Sequence, residues 1–253
     1  MFFAVRPSVD LTIAISTLGS GINRIQLPKP VVGIRYLVLH QRPRQAPIAL
    51  NRADVRVIAL DTLGLSHSRN AALQHAETDL LVFSDDDTIL FPNGIQALAH
   101  NLTMKPDLAL AVGWRAERLP PRAQRADLTH FNCGRVCAPE FMVRRSLILN
   151  AGVLFDTDFG LGARFGVGEE YVFVTDALHK GLRGIILPVV TGSHPEKSTG
   201  DKWDSTTILA DRRAVLYRVF GAWAPVVSAL YALKHCRKFT SIKAIIHFLL
   251  PIK

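Results

Sequence analysis

The sequence predicts an α/β domain in which a sheet with a parallel core lies between helices. Short apolar runs rich in β-formers alternate with helical patterns through the first two thirds of the chain. The chain has 253 residues, of which 49% are apolar, and this is enough to bury one large core or two modest ones. Sheets of this class bind ligands at the carboxyl ends of their strands.

Four strands are predicted in the first third of the chain, and each ends in polar or turn residues. They cover residues 10–16, 34–41, 55–60 and 79–87. A helix over 65–77 precedes the fourth strand, and Ser66 or Ser68 is its expected N-cap. A second short helix begins at Pro92. This alternation is typical of parallel strands joined by helical crossovers.

The remaining elements are predicted from similar signals. Residues 108–114 form a further strand, and 115–132, rich in Arg and Pro, form a long loop. A strand then runs through Val143, and a short helix ends at Gly152. A helix stopped by Gly181 and a closing strand over 182–188 complete the domain.

Charge divides the chain into two parts. The formal net charge is +9, from 30 Lys+Arg and 21 Asp+Glu. Residues 212–253 contain no acidic residue and eight basic ones: Arg212, Arg213, Arg218, Lys234, Arg237, Lys238, Lys243 and Lys253. The other 211 residues are therefore nearly neutral. We expect a catalytic domain over 1–211 and a basic amphipathic helical tail over 212–253.

The tail has the spacing of an amphipathic helix. Its apolar residues recur at helical intervals: Ile242, Ile245, Ile246, Leu249 and Leu250. An acid-free amphipathic helix fits an anionic membrane surface, although a helix packed on the domain or a dimer interface gives the same pattern. No apolar run reaches about 18 residues, and Arg6, Pro7 and Asp10 argue against a signal peptide.

Cysteine usage indicates a reducing compartment. The three cysteines are too few for a disulfide framework, and the spacing of Cys133 and Cys137 favours two ordinary thiols over a zinc site. We therefore expect a cytoplasmic protein that is peripheral at the inner face of the membrane.

An acidic triplet, Asp85-Asp86-Asp87, directly follows the fourth strand. Three adjacent carboxylates repel one another, and a divalent cation with oxygen ligands would neutralise them at a strand end. Mg²⁺ or Mn²⁺ held in this way keeps coordination positions for substrate phosphate oxygens. An acidic turn with helix-capping residues is the alternative interpretation.

Two helix starts are predicted to face the same edge. Arg69 and Asn70 lie in the first turn of one helix, where exposed N–H groups and an arginine suit a nucleotide. Glu169 and Glu170 open another helix after Gly168, either as dipole-stabilised capping residues or with one of them as a general base.

The loop after the closing strand adds a fourth feature. His194 in this loop is either an ordinary loop histidine or a metal ligand. Ser198, Thr199 and Gly200 of the same loop could donate hydrogen bonds to phosphate. Together the two strand ends and two helix starts converge on one face of the sheet.

The order of these motifs resembles that of the inverting nucleotide-sugar glycosyltransferases of family 2, which have the GT-A fold, a Rossmann-like mixed sheet flanked by helices. The resemblance covers residues 10–200 and rests on five segments in the same order: IAIST, SRNAAL, LVFSDDD, EFMVRRSLILNAGVLFDTDFG and GEEYVFVTDALHKGLRGIILP. It implies transfer of a sugar from a nucleotide-diphosphate donor to a hydroxyl of a glycan or a lipid-linked acceptor, with Mn²⁺ or Mg²⁺ as cofactor.

The resemblance also implies roles for individual residues. Asp85 and Asp87 would be the pair of the DXD motif, with Asp87 as the direct metal ligand, while Asp85 and the middle Asp86 would also face the donor. His194 would be a further metal ligand. Glu170 aligns with the family's catalytic base, and Glu169 is the alternative because glutamate is longer than the usual aspartate.

The donor site implied by the resemblance includes the ends of the first and third strands. Ser16 and Thr17 follow the first strand, and Asp61 after the third strand either contacts the nucleotide or caps a turn. The QXXRW signature of processive synthases is absent, which favours an enzyme that adds a single sugar.

Other function classes fit the sequence less well. Nucleic-acid binding would require basic and aromatic residues spread over the domain, but the domain is nearly neutral. An aspartate-nucleophile phosphatase would carry its acids after the first strand, and an inert sugar-nucleotide binder would have lost the acidic motifs. A sugar nucleotidyltransferase remains the alternative enzyme class.

Overall fold

The structure, a computed structural model, describes residues 9–43, 50–194 and 203–250. Its strands are β1 (Leu11–Leu18), β2 (Ile34–Gln41), β3 (Val55–Leu60), β4 (Leu80–Asp85), β5 (Ile89–Leu90), β6 (Leu108–Arg115), β7 (Ala126–Asp127), β8 (Phe141–Arg144) and β9 (Arg183–Ser193). Its helices are α1 (Leu65–His75), α2 (Pro92–Met104), α3 (Arg145–Asn150), α4 (Glu169–His179), α5 (Thr206–Phe220), α6 (Ala224–Lys234) and α7 (Ile242–Leu249).

All nine strands form one mixed sheet. The order across the sheet is β3-β2-β1-β4-β8-β6-β9-β5, and β7 pairs with β9. Strands β3, β2, β1 and β4 are mutually parallel, whereas β8 runs antiparallel between β4 and β6. The predicted mixed sheet with a parallel core is therefore confirmed.

Apolar side chains cover both faces of this sheet. Along β1, Ile13 and Ile15 belong to a cluster with α2, while Ala14 belongs to a cluster with α1 and α4. Strand β4 alternates in the same way, with Val82 on the first face and Phe83 on the second. The two cores fix the sheet between helices and leave the strand ends available for a site.

Helix α1 begins differently from the prediction. Its N-cap is Gly64, which has φ +109°, and neither Ser66 nor Ser68 caps it. The two serine hydroxyls are used elsewhere: Ser66 donates to the carbonyl oxygen of Phe159 at 2.6 Å, and Ser68 donates to Ser16 at 2.8 Å. Both contacts join residues at least fifty positions apart in the chain.

The predicted long loop over 115–132 contains the short strand β7, and the closing strand β9 is longer than predicted. Residues Ala126 and Asp127 pair with Ile186 and Ile185 of β9, which extends to Ser193. Strand β5 also pairs with β9. These two-residue strands depend on a long partner, and their own sequences give no periodic signal.

The C-terminal segment forms three helices, the first of which crosses the predicted boundary at residues 211 and 212. Helices α5, α6 and α7 enclose a third apolar cluster built around Leu209, Leu216, Ala232, Phe239 and Phe248. Thr206–Lys234 is long and apolar enough, by length and composition alone, to cross a membrane. The sequence-based expectation that no segment reaches this length is thus corrected, although a turn at Gly221–Trp223 divides the segment into two helices.

Candidate active site

The carboxyl ends of β1 and β4 lie side by side and form the floor of the candidate site. Ser16 is in register with Asp85, and Thr17 is in register with His40 at the end of β2. Ser16 accepts a hydrogen bond from Ser68 of α1 at 2.8 Å. The strand ends and the start of α1 are therefore brought together as predicted.

The three carboxylates of the triplet have three different sets of partners. Asp85 lies 3.3 Å from Nη2 of the arginine of α1, Arg69. Asp86 accepts hydrogen bonds from Thr17 and Arg24, each at 2.6 Å. Asp87 lies 3.3 Å from Nε2 of His194. Two of the three acids thus have an arginine as their partner, whereas Asp87 faces a histidine.

Asp86 is a positioning residue in this arrangement. It is buried, and its two carboxylate oxygens receive one hydrogen bond each, from Thr17 and from Arg24. A side chain at Gly21 would overlap the same carboxylate and Thr17. Asp86 therefore holds the turn after β1 against the end of β4, and sequence reasoning missed Arg24 because its partner is 62 residues away.

Arg69 is the centre of a buried charge cluster. Its side chain is 1% exposed, and Nη1 lies 2.9 Å from a carboxylate oxygen of Glu169 and 2.9 Å from one of Glu170. Burial opposes the charge of Arg69, but the three surrounding carboxylates outweigh it and raise the pKa of the guanidinium. Arg69 thus joins the end of β4 to the start of α4.

The acids of this cluster respond to burial in the opposite direction. Burial raises the pKa of Asp85, and the neighbouring carboxylates add to this effect while Arg69 opposes it. Burial and the adjacent Glu170 raise the pKa of Glu169 to about 8, again against Arg69. Glu169 therefore holds a proton near neutral pH.

Glu169 and Glu170 occupy different surroundings although they are neighbours. Glu169 packs against Gly160, beside the hydroxyl of Ser66, and its side chain is 7% exposed. Glu170 is 13% exposed and accepts a hydrogen bond from the backbone N–H of Ala138 at 3.3 Å. Of the two, Glu170 is thus the more open to an approaching hydroxyl.

The other predicted donor residues differ in their placement. The side-chain amide of Asn70 donates to the carbonyl oxygen of Phe155 and accepts from the backbone N–H of Phe155, at 2.8 Å each. These two hydrogen bonds hold the segment around Phe155 against α1. Asp61 is exposed just after β3. Thr17 donates to Asp86, and Ser16 accepts from Ser68. Asn70 and Arg69 thus position other groups, whereas Asp61 lies in the open.

Two acids that sequence reasoning missed support the rim of the site. Glu117 accepts hydrogen bonds from the Ser193 hydroxyl and from the backbone N–H of His194, the latter at 3.2 Å. Glu140 is fully buried, accepts from the backbone N–H of Arg115 at 3.0 Å and lies 3.6 Å from Arg135. A glutamate inside the apolar run before Val143 was the available signal for Glu140.

Helix α5 supports the loop that leads into α4. The carboxylate of Asp211 accepts a hydrogen bond from the backbone N–H of Gly166 at 2.9 Å, and Asp211 is buried. Gly168 has φ +94° and caps α4, and a side chain there would overlap Val215 of α5. The start of α4, which carries Glu169 and Glu170, is therefore held in position by contacts with α5.

We expect Asp211→Ala to lower the turnover rate by about tenfold or more, because a small misplacement of a catalytic group is costly. Asp211→Asn should recover most of the loss, since its amide oxygen can still accept from Gly166. The measurements are kcat, which should fall, and the dissociation constant of the donor, which should stay unchanged. Asp204→Ala, an exposed change just before α5, is the control. Equal rates for wild type and Asp211→Ala would contradict this role.

Asp87 and His194 are the residues whose chemistry fits a divalent cation. Among the residues that the structure describes, no three His, Cys, Asp or Glu side chains are grouped to hold a metal. The Asp87 carboxylate nevertheless suits Mg²⁺ or Mn²⁺, because such ions commonly take one or two carboxylate ligands and fill the rest with water and substrate phosphate. The imidazole of His194, 3.3 Å away, offers a nitrogen ligand beside it. The residues predicted to donate hydrogen bonds to phosphate lie outside the described residues; they are Ser198, Thr199 and Gly200.

Comparisons with known proteins agree with the fold. Residues 44–167 match the model of glycosyl transferase family 2. A crystal structure of S. aureus TarS 1-349 superposes with a TM-score of 0.60 at 13% identity, covering 95% of this chain and 78% of that one. The same protein in complex with UDP-GlcNAc gives a TM-score of 0.62 at 13% identity with the same coverage. A longer TarS structure gives 0.59 at 14% identity, over 92% of this chain and 44% of that one. No curated protein matches the sequence.

Proposed function

We propose that this chain, which has the GT-A fold and matches glycosyl transferase family 2 over residues 44–167, transfers a sugar from a nucleotide-diphosphate donor to a hydroxyl of a glycan or a lipid-linked acceptor, with metal dependence and inversion of the anomeric centre. One observation carries the proposal. Two groups of residues lie at the end of β4. Asp87 pairs with His194 directly after this strand, and Arg69 joins Asp85 of the strand to Glu170 at the start of α4. A metal-diphosphate site and a base thereby border the same edge.

The donor would bind over the ends of β1 and β4. Asp61 is exposed after β3, which β2 separates from β1 in the sheet. The backbone after β1 is held in place by the Thr17–Asp86 hydrogen bond. TarS structures with this fold have been determined in complex with UDP-GlcNAc and with UDP, which supports a nucleotide-sugar donor for this chain.

Asp87 and His194 would hold the cation. When bound, Mn²⁺ or Mg²⁺ would supply neutralisation of the charge that develops on the departing diphosphate. Glu117 keeps His194 in place through the His194 backbone N–H. Asp85 would join as a second carboxylate only by turning from Arg69, so we assign the main role to Asp87.

Glu170 would act as the general base. It would remove the proton of the acceptor hydroxyl while the oxygen attacks the anomeric carbon from the face opposite the diphosphate. The bond from that carbon to the diphosphate oxygen would break in the same displacement, which inverts the configuration. Arg69, 2.9 Å from Glu170, holds this carboxylate in place at the start of α4.

The proposed function is tested by a panel of nucleotide sugars with Mn²⁺, Mg²⁺ or EDTA. We expect release of nucleoside diphosphate from one donor, loss of the activity in EDTA and its return with metal. Asp87→Asn should lower kcat by about 100-fold or more, because metal-based charge stabilisation would be lost. Asp107→Asn, in an exposed ion pair with Arg183, is the control. Activity that survives EDTA, or a product that keeps the donor's anomeric configuration on NMR, would contradict the metal or the inversion respectively.

The proposal also concerns location. We place the enzyme in the cytoplasm, peripheral at the inner face of a membrane. Eight of the nine net positive charges lie in the acid-free segment 212–253, and such a segment is attracted to anionic lipid. A lipid-linked acceptor would be presented at the same surface.

A further inference from the structure

We infer that the outer faces of α6 and α7 together form one apolar surface that docks on an anionic lipid bilayer. This inference rests on the proposed function, since it gives the transferase a way to reach acceptors at the bilayer. The surface is defined by eight residues: Trp223, Val226, Leu230, Leu233, Ile242, Ile246, Leu249 and Leu250.

The outer face of α6 is continuous. Trp223, Val226, Leu230 and Leu233 follow one another at intervals of three or four residues, which places them on one side of the helix. The exposed fractions of Trp223 and Leu233 are each 72%. The opposite side of α6, with Val227, Tyr231 and Ala232, packs into the cluster with α5 and α7. Helix α6 is therefore apolar on two sides, and one of them is exposed among the described residues.

Helix α7 has the same two-sided character. Ile242 and Ile246 are 76% and 51% exposed, one turn apart. Ile245 and Phe248 face the other way, into the cluster with α5. The sequence pattern grouped Ile245 with Ile242 on a single stripe, but the structure separates them. The single amphipathic stripe is thus replaced by a surface shared between two helices.

Basic residues lie close to this surface in the sequence, and acidic residues are absent from 212–253. Lys234, Arg237, Lys238 and Lys243 lie between or beside the two helices. A second copy of this chain would bring the same positive charges against them, which disfavours self-association through this face. Anionic lipid supplies the complementary charge together with an apolar phase for the side chains. Both the positive charge and the hydropathy of this surface therefore favour an anionic bilayer as its partner.

Flotation of the full chain with lipid vesicles tests the inference. Vesicles of phosphatidylcholine alone are compared with vesicles of phosphatidylcholine and phosphatidylglycerol. We expect binding to the anionic vesicles that is about tenfold stronger than to neutral ones and is weakened by salt. Leu230→Glu with Leu233→Glu should lower the bound fraction by about tenfold or more, and Lys234→Gln with Lys243→Gln should reduce binding to anionic vesicles only.

Val32→Glu is the matched control, because Val32 is 80% exposed and lies between β1 and β2. Thermal unfolding and donor-induced stabilisation, measured on each variant, separate loss of docking from loss of fold or of donor binding. A wild-type chain that stays with the soluble fraction at low salt would overturn the inference. So would a dimer that the Leu230/Leu233 variant converts to a monomer. Flotation without any transfer activity would instead leave docking intact and count against the transferase proposal.

Discussion

Arg69→Met is expected to lower the free energy of unfolding by about 3–5 kcal/mol, because it leaves the carboxylates of Asp85 and Glu170, beside the protonated Glu169, without their buried counter-ion. Transfer activity should be lost as well, since the same guanidinium links β4 to the start of α4. Urea unfolding monitored by circular dichroism gives the stability, and release of nucleoside diphosphate gives the activity.

Two further variants make the Arg69 result specific. Arg69→Lys keeps the charge but offers a single ammonium in place of the planar fork, and it should be intermediate in both measurements. Arg183→Met removes an arginine from an exposed ion pair with Asp107, and it should cost about 1 kcal/mol or less. Similar stabilities for Arg69→Met and Arg183→Met would show that the buried cluster does not stabilise the fold.

Glu170→Gln is expected to lower kcat by about 10²- to 10⁴-fold while the donor still binds, because the amide cannot accept the proton of the acceptor hydroxyl. Glu169→Gln should keep most of the activity, since Gln resembles the protonated form that Glu169 already adopts near neutral pH. Steady-state rates with saturating donor and donor titration by calorimetry separate the two effects. A reversed result, with activity lost only in Glu169→Gln, would assign the base to Glu169.

The pKa of Glu169 also predicts how stability changes with pH. In the folded chain its pKa is about 8, above the ordinary value of 4.5, so the folded state keeps a proton that the unfolded chain releases between these values. The stabilisation from this group is present below about pH 4.5 and is lost as the pH rises to about 8. Melting temperatures of Glu169→Gln should therefore decline less over this interval than those of wild type.

The architecture could be predicted from sequence because it depends on local patterns. The alternation of buried residues along β1 and β4 fixes both faces of the sheet, and parallel strands bring their carboxyl ends to one edge. The sheet between helices and the meeting of the acidic triplet with the two helix starts follow from this, whereas the GT-A fold is implied by the resemblance to family 2. The two-residue strands β5 and β7 could not be foreseen, because they exist only as partners of β9.

The directions of the side chains in the site could not be predicted, because distant residues decide them. Asp86 turns to Arg24, 62 residues away, and Arg69 meets Glu169 across 100 residues. Ser66 or Ser68 was expected to cap a helix, but their hydroxyls donate hydrogen bonds to Phe159 and Ser16 instead. In each case a buried charge or hydroxyl selects a partner that only the folded chain brings near.

Charge and folding divide this chain at different places. The change from a neutral to a basic sequence falls at residues 211 and 212, in the middle of α5, whereas the contacts of Gly166 and Gly168 reach Asp211 and Val215 on that same helix. The shortest fragment that preserves the setting of Glu169 and Glu170 therefore extends through Phe220. A chain shortened to the charge boundary would lose nine of the 15 residues of α5, with Val215 among them.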